Sequence, residues 1–129
     1  MSTENSELLR AAIDAFNRRD ANAFGALLTD DAEIVPVRAA LERTTYRGPD
    51  AAVQYCAAVE ESWKNLEWEV DEIRDGGNWV LGLGRIRGEG RGSEAVFDVR
   101  GAWLARVQGS LVTHFRTYPD QREALEDLR

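Results

Sequence analysis

The chain has 129 residues, of which 43% are hydrophobic and 30% are charged. That length predicts one domain spanning residues 1–129, and the composition excludes a disordered chain. The 23 acidic and 16 basic residues give a formal net charge of −7, and an acidic surface repels phosphate, so we expect no nucleic-acid partner. The sequence has no apolar run long enough to span a membrane and begins with a polar stretch, which predicts a cytoplasmic protein without a membrane partner.

The first half of the chain is predicted to be mainly helical. Apolar residues from Leu8 to Phe16 recur at helical spacing, which predicts an amphipathic helix of about four turns. Asp20 is a typical cap for a short second helix over residues 21–28. Residues 48–50, Gly-Pro-Asp, are typical of a helix start, and a third helix is predicted to continue to about Lys64. The apolar face of this third helix would consist of Val53, Cys56, Ala57, Val59 and Trp63.

The second half of the chain is predicted to form a sheet. From Asn65 the apolar period changes to two, and Leu66, Trp68 and Val70 alternate with acidic residues. Helices followed by long strands predict an α+β domain whose antiparallel sheet has one face against a core. The predicted strands are 32–37, 44–46, 65 to about 74, 79–87, 94–107 and 110–118, with a hairpin turn at 75–78, a glycine-rich connection at 88–92 and a short charged helix at 119–129.

Two residue types that often carry chemistry occur only once each. Cys56 is the only cysteine, so the chain has no internal disulfide, and we expect Cys56 to be a buried apolar residue. His114 is the only histidine and has no ligand-spaced partners, which excludes the usual zinc site. The glycines at 88, 90 and 92 precede neither a helix nor a Lys-Ser or Lys-Thr pair, unlike those of a phosphate loop. The sequence therefore predicts no cofactor and no metal.

Four segments match one protein family in their order and spacing. Residues 16–24 resemble the join between the first two helices of that family, and residues 28–34 its step from helix into strand. Residues 46–51 resemble its entry to the third helix, and residues 115–125 its closing strand and tail. On these segments the chain resembles the NTF2-like superfamily, in its SnoaL-like branch of polyketide cyclase and ketosteroid isomerase-like proteins.

The resemblance implies an NTF2-like (cystatin-like) cone. In that cone, three N-terminal helices pack in a curved antiparallel sheet and leave an apolar pocket open at one end. Some family members are enzymes that act on small apolar molecules, whereas others are binding or assembly modules, and most form dimers through the outer face of the sheet. Because one fold hosts many activities, the function has to be argued from individual side chains.

The side chains at the catalytic positions of the family do not fit its known chemistries. A ketosteroid-isomerase-like site needs a carboxylate base, a tyrosine and a protonated acid. By resemblance these groups fall near Pro36, Ala12 and Gly101, and none of the three can do that work. The aspartate that cyclases of the family carry on the last strand falls at Thr117, which transfers no proton at neutral pH. The sequence predicts no catalytic acid or base and leaves open whether the protein is an enzyme; any reaction would be a metal-free isomerisation, cyclisation or dehydration.

The register of the last two strands decides the direction of His114. When the more apolar residues of each strand are placed inward, Gly101 lies opposite Phe115 and His114 points outward. That pairing requires a loop of odd length near Gln108, because a two-residue loop would shift the register by one and turn His114 inward. We therefore expect an odd loop and an outward His114.

The same register places Arg100 opposite Arg116, and like charges opposite each other destabilise a sheet. Either Asp98 or a carboxylate of a second subunit could relieve the pair, and the second possibility predicts a homodimer through the outer face of the sheet. Two solvated arginines that splay apart are the alternative.

Six residues are predicted to line a ligand pocket. They are Trp68, Trp103, Phe115 and Thr117, with Tyr46 and Arg85 as weaker candidates. Aromatic walls suit flat apolar ligands, although the tryptophans could also be ordinary core residues, and Arg85 could instead pair with Glu69. The preferred hypothesis is a SnoaL-like pocket protein that binds a small, mostly apolar molecule. The alternative hypothesis is a non-catalytic homodimeric interaction module whose own side chains fill the pocket.

Overall fold

A computed structural model of the chain describes residues 2–37, 45–92 and 96–128. The starts of the strands predicted at 44–46 and 94–107 lie outside these residues. The described residues form four helices, α1 (Ser2–Asn17), α2 (Ala21–Gly25), α3 (Ala51–Ser62) and α4 (Gln121–Asp127). They also form six strands, β1 (Leu28–Val35), β2 (Tyr46–Arg47), β3 (Trp63–Asp75), β4 (Trp79–Gly90), β5 (Val96–Gln108) and β6 (Leu111–Tyr118). None of the described helices is both long and apolar enough to cross a membrane.

The first two helices follow the predicted pattern with one correction. Leu9, Ala12, Ile13 and Phe16 of α1 are buried and Leu8 is partly buried, which confirms the amphipathic helix. Asp20 caps α2 by accepting a hydrogen bond from the Ala23 N–H at 3.0 Å. However, α2 ends at Gly25, and β1 begins at Leu28 rather than at residue 32. The predicted second helix was too long because the apolar residues after Gly25 continue the helical spacing although they already lead into the strand.

The third helix begins directly after the Gly-Pro-Asp signal, as predicted, and ends at Ser62 rather than at Lys64. Its buried face is rotated from the predicted one. Tyr55 and Cys56 are buried against the core, whereas Val53 is 53% exposed. The prediction that Val53 and Ala57 face the core was therefore wrong, while the burial of Cys56 is confirmed.

The six strands form one curved sheet in the order β2-β1-β6-β5-β4-β3. All neighbouring strands are antiparallel except β1 and β6, which pair in parallel, so the predicted antiparallel sheet is corrected at this one pair.

The glycine-rich connection predicted at 88–92 was also wrong at its start, because β4 continues to Gly90. A Cβ at Gly88 would lie 2.8 Å from the backbone oxygen of Asn65, so this glycine allows close packing of β4 against β3.

The turn between β5 and β6 contains two residues, so the expected loop of odd length was wrong. A bulge nevertheless restores the direction of His114. Val112 pairs with Val107 and His114 with Arg106, so Thr113 is an extra residue in β6. The insertion compensates for the short turn, and the outward direction of His114 is confirmed.

The position of the two-residue turn, together with the bulge, changes the predicted partners across the ladder. Phe115 pairs with Ala105 and not with Gly101. Arg116 lies opposite Leu104, so the predicted contact between Arg100 and Arg116 was wrong. The residue opposite Arg100 is Arg85 of β4. Like charges do meet on the outer face, but one strand away from the predicted position.

Alternating side chains divide the buried residues into two clusters. On the inner face, defined as the face that packs against α1, α2 and α3, Trp103 and Ala105 of β5 belong to the main core. On the outer face, Ala102 and Leu104 of the same strand pack in a second cluster with Ala124 of α4. The sheet therefore separates a helix-covered interior from an outer surface that α4 covers in part.

Candidate functional site

Aromatic rings fill the middle of the inner face. Phe16 of α1 stacks on Trp68 of β3 with ring centroids 3.6 Å apart and planes 7° from parallel. Phe115 of β6 lies beyond Trp68 at 5.8 Å and 16°, and Trp103 of β5 approaches Trp68 at 5.7 Å and 49°. Tyr55 of α3 packs on Phe16 at 5.4 Å. We call these five residues the aromatic cluster.

Three buried polar atoms at the aromatic cluster lack a hydrogen-bond partner among the described residues. They are Nε1 of Trp68, Nε1 of Trp103 and Oγ1 of Thr117. Thr117 lies directly opposite Trp103 across the β5–β6 ladder, and the Trp103 ring contacts that of Trp68, so all three side chains share one region. An indole N–H can only donate, and leaving such a group unpaired costs about 1–3 kcal/mol. The interior therefore contains donors that a ligand or water could satisfy.

The interior is also neutral. Thr117 is the only polar or charged residue among the buried residues that the structure describes. Burial raises the pKa of the Tyr55 phenol well above its usual value, so the ring keeps its proton. The nearby Thr117 hydroxyl opposes this shift but makes no well-formed hydrogen bond. Among the described residues, the interior around the aromatic cluster holds no carboxylate or imidazole that exchanges protons near neutral pH.

The structure brings five of the six predicted pocket residues to one region. Trp68, Trp103, Phe115 and Thr117 are almost completely buried around the aromatic cluster. Tyr46 is partly buried at its margin, where its ring lies 5.7 Å from that of Tyr55.

The sixth residue, Arg85, lies on the outer face, because it alternates with the buried inward residue Ile86. Its guanidinium is 3.6 Å from the carboxylate of Asp98. Glu69 is the cross-strand neighbour of Arg85 but pairs with Arg87 instead, also at 3.6 Å. The predicted ion pair between Arg85 and Glu69 was therefore wrong, because the side chains lean diagonally.

Sequence reasoning missed the contribution of Tyr55 and Phe24 to this region. Tyr55 contacts the rings of Phe16, Phe24, Tyr46 and Trp68. The signal was available in the sequence, because Tyr55 lies three residues after Ala52 and four before Val59, and these three share one helical face. The prediction instead placed Val53 and Ala57 on the buried face of the helix, and it therefore omitted Tyr55.

A polar cavity of about 380 Å³ lies at the β1–β6 end of the sheet. It is lined by Asp31, Glu33, Arg47, Gln108, Thr113 and His114. Glu33 forms an ion pair with Arg47, and His114 Nε2 lies 3.8 Å from Glu33 Oε1. Burial lowers the pKa of His114, and the charges of Arg106 and Arg116 lower it further. The neutral form of the His114 imidazole is therefore favoured, and His114 lies on the face opposite to the aromatic cluster.

A comparison with protein families identifies the class of protein that has these helices, this cone-like sheet and this enclosed aromatic interior. A family model described as "SnoaL-like domain" matches residues 9–115. The chain belongs to this family, which confirms the resemblance on which the fold was predicted. A search of curated protein sequences found no match.

Solved structures agree with the fold. An NTF2-like protein of unknown function from Burkholderia pseudomallei superposes with a TM-score of 0.79 at 19% identity, covering 95% of both chains. An NTF2-like protein from Burkholderia thailandensis gives 0.77 at 24% identity, also covering 95% of both. A hypothetical protein with a ketosteroid isomerase-like fold from Catenulispora acidiphila, in complex with trimethylamine, gives 0.76 at 22% identity and covers 87% of this chain and 84% of its own. At these identities the likeness shows the fold alone.

Proposed function

We propose that this SnoaL-like protein binds a small, uncharged and mostly apolar molecule at the aromatic cluster. The observation that carries the proposal is the set of three unpartnered polar atoms, on Trp68, Trp103 and Thr117, in an otherwise apolar interior. Native proteins leave few buried donors unpaired, so such a group calls for an explanation, and a ligand acceptor supplies one. The three residues belong to the set that the sequence predicted as a pocket.

The chemistry of the region defines the ligand. Nearly parallel rings favour a flat molecule that can lie against them. Two donor-only indoles favour a hydrogen-bond acceptor, such as a carbonyl or an ether oxygen. A charged ligand is disfavoured, because the described interior offers no counter-charge and burying an unpaired charge is costly.

Binding without proton-transfer catalysis is the activity that these residues support. The described interior holds a phenol and a hydroxyl but no group that titrates near neutral pH. If a reaction takes place, we propose a metal-free isomerisation, cyclisation or dehydration in which the protein orients the ligand. The Catenulispora structure, which is described as a complex with trimethylamine, supports the idea that this fold accommodates a small molecule.

The proposal is tested by a thermal-shift screen with steroid ketones, aromatic polyketides and terpenoid epoxides, together with one matched pair of probes. The pair is 2-acetylnaphthalene and 2-ethylnaphthalene, which differ chiefly in the carbonyl acceptor. A ligand at 100 times its dissociation constant stabilises a protein by about 2.7 kcal/mol, which is easily measured. We expect the ketone to give the larger shift, whereas equal shifts for the pair would remove the role of the unpartnered donors.

Two tryptophan variants locate the binding. Trp103→Phe removes one indole donor from the interior and should reduce the preference for the ketone. Trp79→Phe is the matched control, because Trp79 packs with the cluster on the outer face. If both variants change the preference equally, or if no compound binds, the proposed site is wrong.

A homodimeric interaction module is the second candidate, and the packing itself favours it. The Phe16 and Trp68 rings are in direct contact, so side chains already occupy much of the interior. The outer face carries paired opposite charges, such as Arg100 with Asp71 at 3.6 Å, and alternating charges can complement themselves in a two-fold interface. Sedimentation at micromolar concentration tests this candidate. A dimer that weakens in high salt supports it, and a monomer rejects it.

A further inference from the structure

The junction between α1 and α2 lies on the free edge of the sheet. β3 is the last strand in the sheet order, so none of the strands that the structure describes lies beside its outer edge. At this edge the Asn17 side chain donates from Nδ2 to the Trp68 carbonyl at 2.8 Å and accepts from the Trp68 N–H at 2.9 Å. The amide thereby makes the two hydrogen bonds that a neighbouring strand would make. It fixes the backbone of Trp68, whose indole N–H is unpartnered in the interior.

Arg19 completes this junction two residues further on. Its guanidinium donates to the carbonyl oxygens of Leu66 and Phe16, both at 2.6 Å. The guanidinium also lies 4.5 Å from the centre of the Phe16 ring, which stacks on Trp68. Arg19 has a backbone φ of 56°, which a non-glycine residue adopts only at some cost, so the surrounding contacts hold it there.

We propose that Asn17 and Arg19 are positioning residues of the interior binding site. Asn17 holds the backbone of Trp68, and Arg19 holds the preceding strand segment and the ring on which Trp68 stacks. Together they fix the direction in which the Trp68 indole N–H points. The link to ligand binding rests on the proposed function, whereas the fixing of Trp68 can be tested without any ligand.

Protection of the strand edge is the competing explanation, because an unpaired edge invites association with other chains. The same helix provides a control for it. Asn5 donates from its side chain to Asp75 Oδ1 at 3.0 Å and to the Gly77 carbonyl at 2.8 Å. Asn5 and Asn17 therefore both attach α1 to the β3 edge or its turn with side-chain amides, but only Asn17 contacts Trp68.

The first experiment measures the dissociation constant of 2-acetylnaphthalene by quenching of tryptophan fluorescence. The proteins are the wild type, Asn17→Ala, Arg19→Lys and Asn5→Ala, at a temperature where all are folded. We expect Asn17→Ala to weaken binding about fivefold, a size typical of residues that act through a neighbour, and Asn5→Ala to leave it unchanged. Equal weakening by Asn5→Ala and Asn17→Ala would overturn the positioning role. If Asn17→Ala does not fold, Arg19→Lys keeps the charge, loses the planar fork and should also weaken binding.

The second experiment observes the indole N–H resonances by nuclear magnetic resonance in the absence of ligand. The Trp68 resonance, assigned from its contacts with Phe16, should shift or broaden in Asn17→Ala and remain unchanged in Asn5→Ala. An unmoved Trp68 resonance in Asn17→Ala would reject the inference even if binding weakened. A moved resonance in a wild-type protein that binds no probe would support the positioning of Trp68 and count against the proposed function alone.

Discussion

His114 shows how a single inserted residue sets the environment of a side chain. The short turn alone would have turned this histidine into the aromatic interior, and the bulge at Thr113 returns it to the outer face. There it lies near charges of both signs. The neighbouring charged residues are Asp31, Glu33, Arg47, Arg106, Arg116 and Asp127. Burial is the largest influence on its pKa, so the neutral form is favoured in the folded protein.

The lowered pKa of His114 predicts a pH-dependent stability. In the unfolded chain the imidazole titrates near its model value of 6.5, so between the folded pKa and 6.5 the unfolded state binds more protons. The free energy of unfolding should therefore fall as the pH decreases from 7.5 to 5.5. Urea unfolding of wild type and His114→Gln measures this effect, and the variant should show a smaller decrease. A wild type that gains stability at pH 5.5 relative to the variant would mean that the attraction of Glu33 outweighs burial.

Thr117 permits a test of the unpartnered hydroxyl in the interior. Thr117→Val keeps the shape of the side chain and removes the polar atom, so we expect the free energy of unfolding to rise by about 1 kcal/mol. Chemical denaturation of the two proteins gives the difference. A loss of stability of similar size would instead show that the hydroxyl is already satisfied, for instance by a buried water.

At the scale of the elements, the sequence predicted strongly periodic segments well and failed where two patterns overlap. α1 and β3 follow their apolar repeats, so both were predicted in type, although β3 begins at Trp63, which had been assigned to the third helix. The end of α2 was misplaced because Leu27 and Leu28 continue its spacing. The face of α3 was wrong because the predicted set included Val53 and omitted Tyr55. The bulge at Thr113 leaves no mark in the sequence, since any residue can occupy it.

Close approach of strands makes one glycine sensitive to substitution. Gly84 of β4 lies so near β3 that a Cβ would overlap the backbone oxygen of Glu69, and backbone cannot move aside easily. We expect Gly84→Ala to lower the free energy of unfolding by about 2–3 kcal/mol. Gly25→Ala in α2 is the matched control, because its Cβ would meet the Cβ of Ala52 at an ordinary 3.5 Å, and it should be nearly neutral. Equal effects in thermal unfolding would contradict the packing argument.

At the scale of the whole molecule, the cone fold and its family followed from the order of four segments along the chain, and the family comparison confirmed them. Trp68, Trp103, Phe115 and Thr117 were correctly predicted to point inward, because they follow strand alternation. Arg85 was misassigned because β4 carries apolar residues on both faces, with Val80 and Ile86 inward and Leu81 and Leu83 outward, so alternation did not indicate its direction. The activity could not be predicted, since the positions at which the resemblance places catalytic groups hold Pro36, Ala12, Gly101 and Thr117, none of which transfers a proton at neutral pH.

α4 covers one part of the outer face of the sheet. It covers Leu81, Leu83 and Leu104, and it is attached by a hydrogen bond of 2.6 Å from the Tyr118 hydroxyl to Asp127. A chain that ends at Asp120 should therefore expose an apolar patch and self-associate. Binding of a hydrophobic dye together with size-exclusion chromatography measures both effects. A truncated protein with the dye binding and elution of the full chain would show that α4 adds nothing to the surface.

The division of β5 into inward and outward residues has a consequence for engineering and for evolution. Trp103 and Leu104 are neighbours in sequence, yet each belongs to a different buried cluster on its own side of the sheet. A library that varies Trp68, Trp103, Phe115 and Thr117 therefore changes the interior without altering the solvent-facing surface. Substitutions on the inner face can therefore change ligand preference, while the residues that determine solubility and self-association lie on the outer face and are selected separately.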